Sequence, residues 1–176
     1  MTNDLKEFID TFNIVDNALD MRTLKRWNGR DLLHSENLSE HTHLVVVYAV
    51  KLYDRFKQSV NINFENLIRL ALVHDSLEIL RGDILSVTKN TIPGLREYVT
   101  NEETTFVNSI MPGLTDVELD LVDVADAYAC FKFVELEYER PHNRFTTEVY
   151  ISTKNVALNK LQNFANKHGG SDVSNT

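Results

Sequence analysis

Apolar residues return every three or four positions along almost the whole chain, the period of helices that bury one face. Leu5, Phe8, Ile9, Phe12 and Val15 predict a first helix, and the stretch from Glu40 to Phe56 predicts a second. Asn63 supplies an N-cap for a third, which runs through Leu67, Leu70, Ala71, His74 and Leu77 to Leu80 with Gly82 as its stop signal. A loop holding Pro93 and Gly94 leads into a helix over Leu95 to Ile110, closed by the break at Pro112-Gly113. Thr115 caps a long helix from Val117 to Glu139, and after Pro141 a last helix covers Thr146 to Lys167. Val45, Val46 and Val47 are β-branched, yet the pattern around them favours a buried helix over a strand. With no hairpin signal and no internal repeat, the expected fold is all-α, a single compact bundle over residues 1–167. Residues 168–176 lack apolar anchors and are expected to form a disordered tail.

Composition narrows the setting. A length of 176 residues suits one domain with a core that needs no staples. The single cysteine, Cys130, has no intramolecular partner, and the polar, acidic start lacks the basic and apolar regions of a signal peptide. A cytoplasmic location is therefore expected. The longest apolar run, Leu44 to Val50, falls far short of the roughly 20 residues that a membrane-spanning helix requires. A net charge of −8 opposes attraction to nucleic acid or anionic lipid, which call for basic surfaces. An anionic substrate must then meet a local cluster of metal and cations.

Two separated segments carry the candidate chemistry: Ser39-Glu40-His41, and His74-Asp75 followed by Glu78 and Gly82-Asp83. With Asp126 they supply two imidazoles and two carboxylates from three predicted helices, a set suited to one divalent metal. Helical residues three or four apart share a face, so Glu78 sits beside the His74-Asp75 pair, placed for a general acid or base. An isolated histidine is more often a surface or hydrogen-bonded core residue than a ligand, and His34, His43, His142 and His168 carry no such pattern. His43 follows His41 by two residues and points to another side of the helix. Mixed imidazole and carboxylate ligation suits Mn, Fe, Co or Zn better than Mg. Such an ion lowers the pKa of bound water from about 15.7 towards about 7 in favourable sites.

A His, a His-Asp pair and a distant Asp together resemble the HD-domain phosphohydrolases. The flanks Arg26-Trp27, Arg30 and Glu36-Asn37-Leu38-Ser39-Glu40-His41 are similar to the YfbR-type 5'-nucleotidases of deoxynucleoside monophosphates and to the compact phage DatZ-type dATP triphosphohydrolases. The resemblance spans Arg26 to Lys132 and implies metal ligation by His41, His74, Asp75 and Asp126. It implies water activation or leaving-group protonation by Glu78 and Asp83, phosphate binding by Arg26 and Lys89, and packing of Trp27 against deoxyribose. It also implies a homo-oligomer, and a host cytoplasm if the chain is phage-encoded.

Two departures bear on the substrate. His74 and Asp126 lie closer in sequence than in the bacterial nucleotidases, which tilts the reading towards hydrolysis of dATP to deoxyadenosine and triphosphate. Asp123 stands where some relatives carry a phosphate-binding lysine, and Lys132 is the candidate compensating cation; Arg26, Arg30, Lys89 and Arg81 are candidates to neutralise a longer phosphate tail. The 5'-nucleotidase remains the alternative. A non-catalytic metal or nucleotide sensor and a metal-free helical interaction module are the contrasting readings.

Overall fold

The computed structural model describes residues 19–27, 32–140 and 144–169, and these are helical apart from turns and one antiparallel bridge between Lys25 and Asn37. The helices are α1 (Leu38–Phe56), α2 (Phe64–Val73), α3 (Glu78–Arg81), α4 (Ser86–Thr91), α5 (Leu95–Ile110), α6 (Asp116–Tyr138) and α7 (Arg144–His168). The predicted helix over Leu5 to Val15, Arg30, His142 and the tail from Gly170 lie outside the described residues. No helix among the described residues is long and apolar enough to cross a membrane.

The helix starts follow from their caps. Asn37 accepts from the Glu40 N–H while the Glu40 carboxylate takes the Asn37 N–H, a reciprocal capping box that starts α1. Thr115 and Glu118 begin α6 in the same way. Glu118 also accepts the Asn63 N–H at 2.8 Å, which fastens the start of α2 to α6. Asn63 caps α2 as its sequence position predicts. The last helix extends to His168, one residue into the segment expected to be tail.

Helix α6 is the central strut, packing on α7, α1 and α2. Its buried residues, among them Leu121, Val122, Val124, Ala125, Ala129 and Val134, cover more than a single stripe, as a helix enclosed by neighbours requires. Val45, Ala49 and Phe56 of α1, Leu67, Leu70 and Ala71 of α2, and Phe164 of α7 complete the main core. Ala125 and Ala127, both buried, flank Asp126 in the sequence of α6.

One sequence expectation fails where the chemistry lies. The helix from Asn63 does not run on to Leu80: α2 ends at Val73, and residues 74–77 form a turn before the short α3. Hydrogen bonds three residues back, Glu78 N–H to Asp75 and Ile79 N–H to Ser76, replace the four-residue spacing of the helix. Periodicity in Leu77 and Leu80 hides this break, because apolar spacing hardly distinguishes a tightened turn from a continued helix. Leu80 is in fact 79% exposed. Helix α4, after Gly82, was not anticipated either, since its polar sequence Ser-Val-Thr-Lys-Asn-Thr carries no apolar stripe.

Candidate metal centre

His41, His74, Asp75 and Asp126 converge, each offering a ligand atom, with all four atoms within 4.8 Å of one another. Three regions deliver them: His41 from the first turns of α1, His74 as the C-cap of α2 with Asp75 in the turn after it, and Asp126 from the middle of α6. Side-chain exposure rises from 0% at His41 through 12% at His74 and 17% at Asp75 to 31% at Asp126. The set is therefore closed behind His41 and open on the Asp126 side, the asymmetry a substrate-accepting metal site needs.

Donor orientation fits a cation. His74 Nδ1 lies 2.9 Å from the Ala71 carbonyl, which only accepts, so that nitrogen carries the proton and Nε2 presents its lone pair in the neutral ring. His74 Nε2 is buried, with the Asp75 carboxylate 3.2 Å away but not aligned for a hydrogen bond. On His41, Nδ1 faces the Glu36 carboxylate at 3.7 Å, longer than a hydrogen bond, and Nε2 meets Asp126 Oδ1 at 2.9 Å. Burial and the Arg26 charge push the His41 imidazole down, but the bond to Asp126 and the Glu36 carboxylate outweigh them and lift it to about 9. Burial likewise opposes, and Asp75 overcomes, an upward shift at His74. The two aspartates are held well below the usual carboxylate range despite burial, Asp75 chiefly by His74 and Asp126 chiefly by its bond to His41. The two ionised aspartates create a negative pocket that draws protons onto the imidazoles, and a divalent ion would take the place of those protons and leave the rings neutral.

Glu78 behaves oppositely. Burial and the neighbouring Asp75 charge raise its carboxyl from 4.5 to about 8 against the pull of Arg26. Its Oε2 is buried without a hydrogen-bond partner and lies 3.5 Å from Arg26 Nη1. The turn at 74–77 thus sets two carboxylates three residues apart in different states, one ionised and one holding a proton at neutral pH. Asp83 follows Gly82, whose φ of +81° turns the chain at little cost only because it lacks a side chain. Asp83 lines the same cleft and adds to the upward push on Glu78, while Lys89 of α4 opposes it.

Arg26 enters through the short bridge beside α1, where its N–H bonds to the Glu36 carbonyl at 2.9 Å. Its guanidinium reaches Asp75 at 3.0 Å, Glu78 at 3.5 Å and Glu36 at 3.4 Å. It lines the cleft and also binds these acids together, so a phosphate would share it. Trp27 lines the cleft too; its Nε1 donates to Glu36 at 3.0 Å and its ring stacks on Phe133 at 5.9 Å. Trp27 has φ +62°, a left-handed conformation costing about 1–3 kcal/mol for a bulky residue. The bond to Glu36 and the stack on Phe133 hold the indole at the cleft wall and offset that strain.

Other predicted residues separate from the site. Arg81 pairs with Glu102 and Glu103 and lines a different groove with Leu77, Leu80 and Tyr98. Lys132 pairs with Glu135 and lies over the Phe131 ring, so it does not replace the cation lost at Asp123. His43 is exposed, His34 meets Glu137, and His168 meets Asp120. Sequence reasoning gave no role to Glu36, which is buried and joins His41, Arg26 and Trp27. It also missed Cys130, whose Sγ lies 3.6 Å from Asp126 Oδ1. Burial and Asp126 raise that thiol, so it faces the aspartate in its neutral form. Arg96 and Lys160 line the cleft as well. Only the position of Cys130 one turn after Asp126 was a readable signal.

Comparisons with known proteins agree with this architecture. Among solved structures, an HD-domain phosphohydrolase from Listeria innocua superposes with a TM-score of 0.68 at 17% identity, over 93% of this chain and 87% of that one. A cyanophage S-2L HD phosphohydrolase, DatZ, seen with dA and one catalytic Zn2+ ion, gives a TM-score of 0.60 at 16% identity, over 88% and 96%. Both share the fold. A 5'-deoxynucleotidase from Vibrio vulnificus is 37% identical over 81 residues, 44% of this chain and 42% of that protein. Another, from Photorhabdus temperata, is 33% identical over 81 residues, 44% and 41%. The match thus spans less than half the length of these curated relatives. A family model described as 5'-deoxynucleotidase YfbR-like matches residues 13–120, more than half of the chain. This chain belongs to the 5'-deoxynucleotidase YfbR-like family.

Proposed function

We propose that this protein is a metal-dependent phosphohydrolase of 5'-deoxynucleotides, cleaving the bond between the 5'-oxygen and its phosphorus. The observation that carries the reading is the convergence of His41, His74, Asp75 and Asp126 beside Glu78, a carboxylic acid whose pKa of about 8 suits proton transfer near neutral pH. The four residues would hold one divalent ion, whose chemistry when bound is Lewis acidity towards a phosphate oxygen and a lowered pKa for water. Glu78 holds or gives the proton that the departing 5'-oxygen requires, and Asp83 assists from the turn after Gly82. Arg26 keeps Asp75 and Glu78 in register and offers its remaining donors to phosphate. Trp27, fixed by Glu36 and Phe133, presents a flat apolar face to the sugar, where a 2'-hydroxyl would crowd it.

Two substrates fit. The names of the curated relatives support a deoxynucleoside monophosphate, releasing phosphate. A cleft of about 440 Å³ with Lys89, Arg96 and Lys160 on its walls supports a longer phosphate chain, with dATP giving deoxyadenosine and triphosphate. A panel of dAMP, dATP, ATP and the other deoxynucleotides, with phosphate, pyrophosphate and triphosphate detected separately, tests both. Hydrolysis of none by protein carrying stoichiometric Mn, Co or Zn would leave a sensor; absence of bound metal would sink the reading altogether. A deoxynucleotide substrate fits a cytoplasmic enzyme, in a host cell if phage-encoded. The net charge of −8 argues against a nucleic-acid partner. The reading includes a homo-oligomer, for which light scattering on a sizing column is the check.

A further inference from the structure

Beyond the metal centre, the cleft is lined by cations with unequal commitments. Arg26 is engaged by Asp75, Glu78 and Glu36. Lys89 lines the cleft together with Glu78 and Asp83. Two further cations come from helices that supply no metal ligand: Arg96 from α5 and Lys160 from α7. Arg96 Nε donates to a neutral amide oxygen, Asn90 Oδ1, at 2.8 Å. Lys160 contacts the Asp123 carboxylate and, at 3.5 Å, the Asp123 carbonyl. The Asp123 side chain is 57% exposed, so this pair is in the class worth about 0–1 kcal/mol. Glu103, an acid on the same wall as Arg96, is occupied by Arg81, which lies outside the cleft. Both outer cations therefore exchange their partners cheaply for a multiply charged anion.

We infer that Arg96 and Lys160 form an outer clamp for the phosphates beyond the one attached to the 5'-oxygen, and so select substrates by phosphate-chain length. This rests on the proposed deoxynucleotide hydrolase and adds to it two residues that determine specificity. Lys160 supplies from α7 the cation that Asp123 denies to α6. A monophosphate, held at the metal centre and Arg26, leaves the clamp idle. A triphosphate takes Lys160 from Asp123 and Arg96 from Asn90, at the cost of standing near the Asp123 carboxylate.

Calorimetry on metal-loaded protein, using deoxyadenosine analogues in which a methylene replaces the 5'-oxygen, separates binding from turnover. One analogue carries a single phosphorus group and the other carries three. Lys160→Gln and Arg96→Gln should each weaken the three-phosphorus analogue by about tenfold, the loss of one charge-assisted hydrogen bond, and leave the one-phosphorus analogue within about twofold. Asp123→Asn should tighten the three-phosphorus analogue, because it frees Lys160 and removes a repelling charge. The clamp is overturned if the wild type prefers the one-phosphorus analogue, or if the substitutions move neither or both alike. Hydrolysis of dAMP or dATP by the wild type, with an unchanged ratio of kcat/KM for the two in Lys160→Gln and Arg96→Gln, would overturn the clamp and leave the parent reading standing. Failure to bind either analogue or hydrolyse either nucleotide would overturn both.

Discussion

The floor and the rim of the cleft use charge in opposite ways. On the floor, His41, His74, Asp75 and Asp126 are set by three packed helix segments, and each charge is fixed by a neighbour within 3.6 Å. Low dielectric makes those interactions strong and directional. On the rim, Arg96 and Lys160 reach from α5 and α7 to single exposed partners, where solvent screening leaves each contact nearly free to exchange. A rigid floor suits an ion whose ligands must not move. An exchangeable rim suits a flexible phosphate chain whose length decides how much of it is used.

The sharpest way to break the contrast is at the floor. Asp126→Ala removes the most open of the four candidate ligands and leaves His41 Nε2 without its closest partner. Metal content by mass spectrometry of the purified protein should fall to substoichiometric levels, and deoxynucleotide hydrolysis should drop by more than about 10³-fold, since the acidity of the attacking water goes with the ion. Normal metal content in a folded Asp126→Ala protein would remove this aspartate from the site. Glu78→Gln comes next. It should keep its metal and lose about 10² to 10⁴ in kcat, the usual weight of one proton-transfer group. Unchanged kcat would leave Glu78 as a structural acid only.

The floor was legible in the sequence and the rim was not. His41, His74-Asp75 and Asp126 were picked out together by their resemblance to the HD pattern, and apolar spacing placed His41 and Asp126 in the helices where they are found and His74-Asp75 towards the end of another. Glu78 was assigned the right neighbourhood for an incomplete reason: a continuous helix was expected, whereas the turn at residues 74–77 brings it beside Asp75. Rim residues escaped because nothing local marks them. Lys160 lies on a helix face whose register against α6 is set by tertiary packing, and Arg96 follows a loop whose path depends on the unanticipated α4. Lys132 and Arg81 were equally reasonable cations by sequence distance, yet each turns to acids elsewhere.

Behind the floor stands Glu36, and Glu36→Gln sharpens the comparison there. The carboxylate faces His41 Nδ1, accepts from the Trp27 indole and meets Arg26. Partners behind a metal-ligating histidine typically contribute 10–100-fold to metal affinity or activity, so metal binding should weaken by about that factor. The same variant loosens Trp27, and discrimination between dAMP and AMP should fall with it. If metal affinity and sugar discrimination both hold at wild-type levels, the charge on Glu36 is dispensable and the floor ends at its four ligands.

The smallest effect is expected in the pH dependence of stability of the metal-free protein. Glu78 has its pKa raised from 4.5 to about 8, so the folded state holds its proton more tightly than the unfolded chain. Its contribution is fully present below pH 4.5 and is lost as pH rises through about 8. His41, raised from 6.5 to about 9, loses its contribution in the same direction but over a higher window. Asp75 and Asp126, both lowered, act at acid pH instead, where their contribution is lost as pH falls. Between pH 5 and 8 the wild type should therefore lose thermal stability, and Glu78→Gln, which has no proton to lose, should fall less steeply. The Tm of the variant relative to the wild type should rise by a few degrees across that range, the scale of about 1–2 kcal/mol in a domain of this size. Parallel Tm curves would mean that Glu78 ionises as readily inside the protein as in water. The division between an ionised Asp75 and a protonated Glu78 would then have no basis.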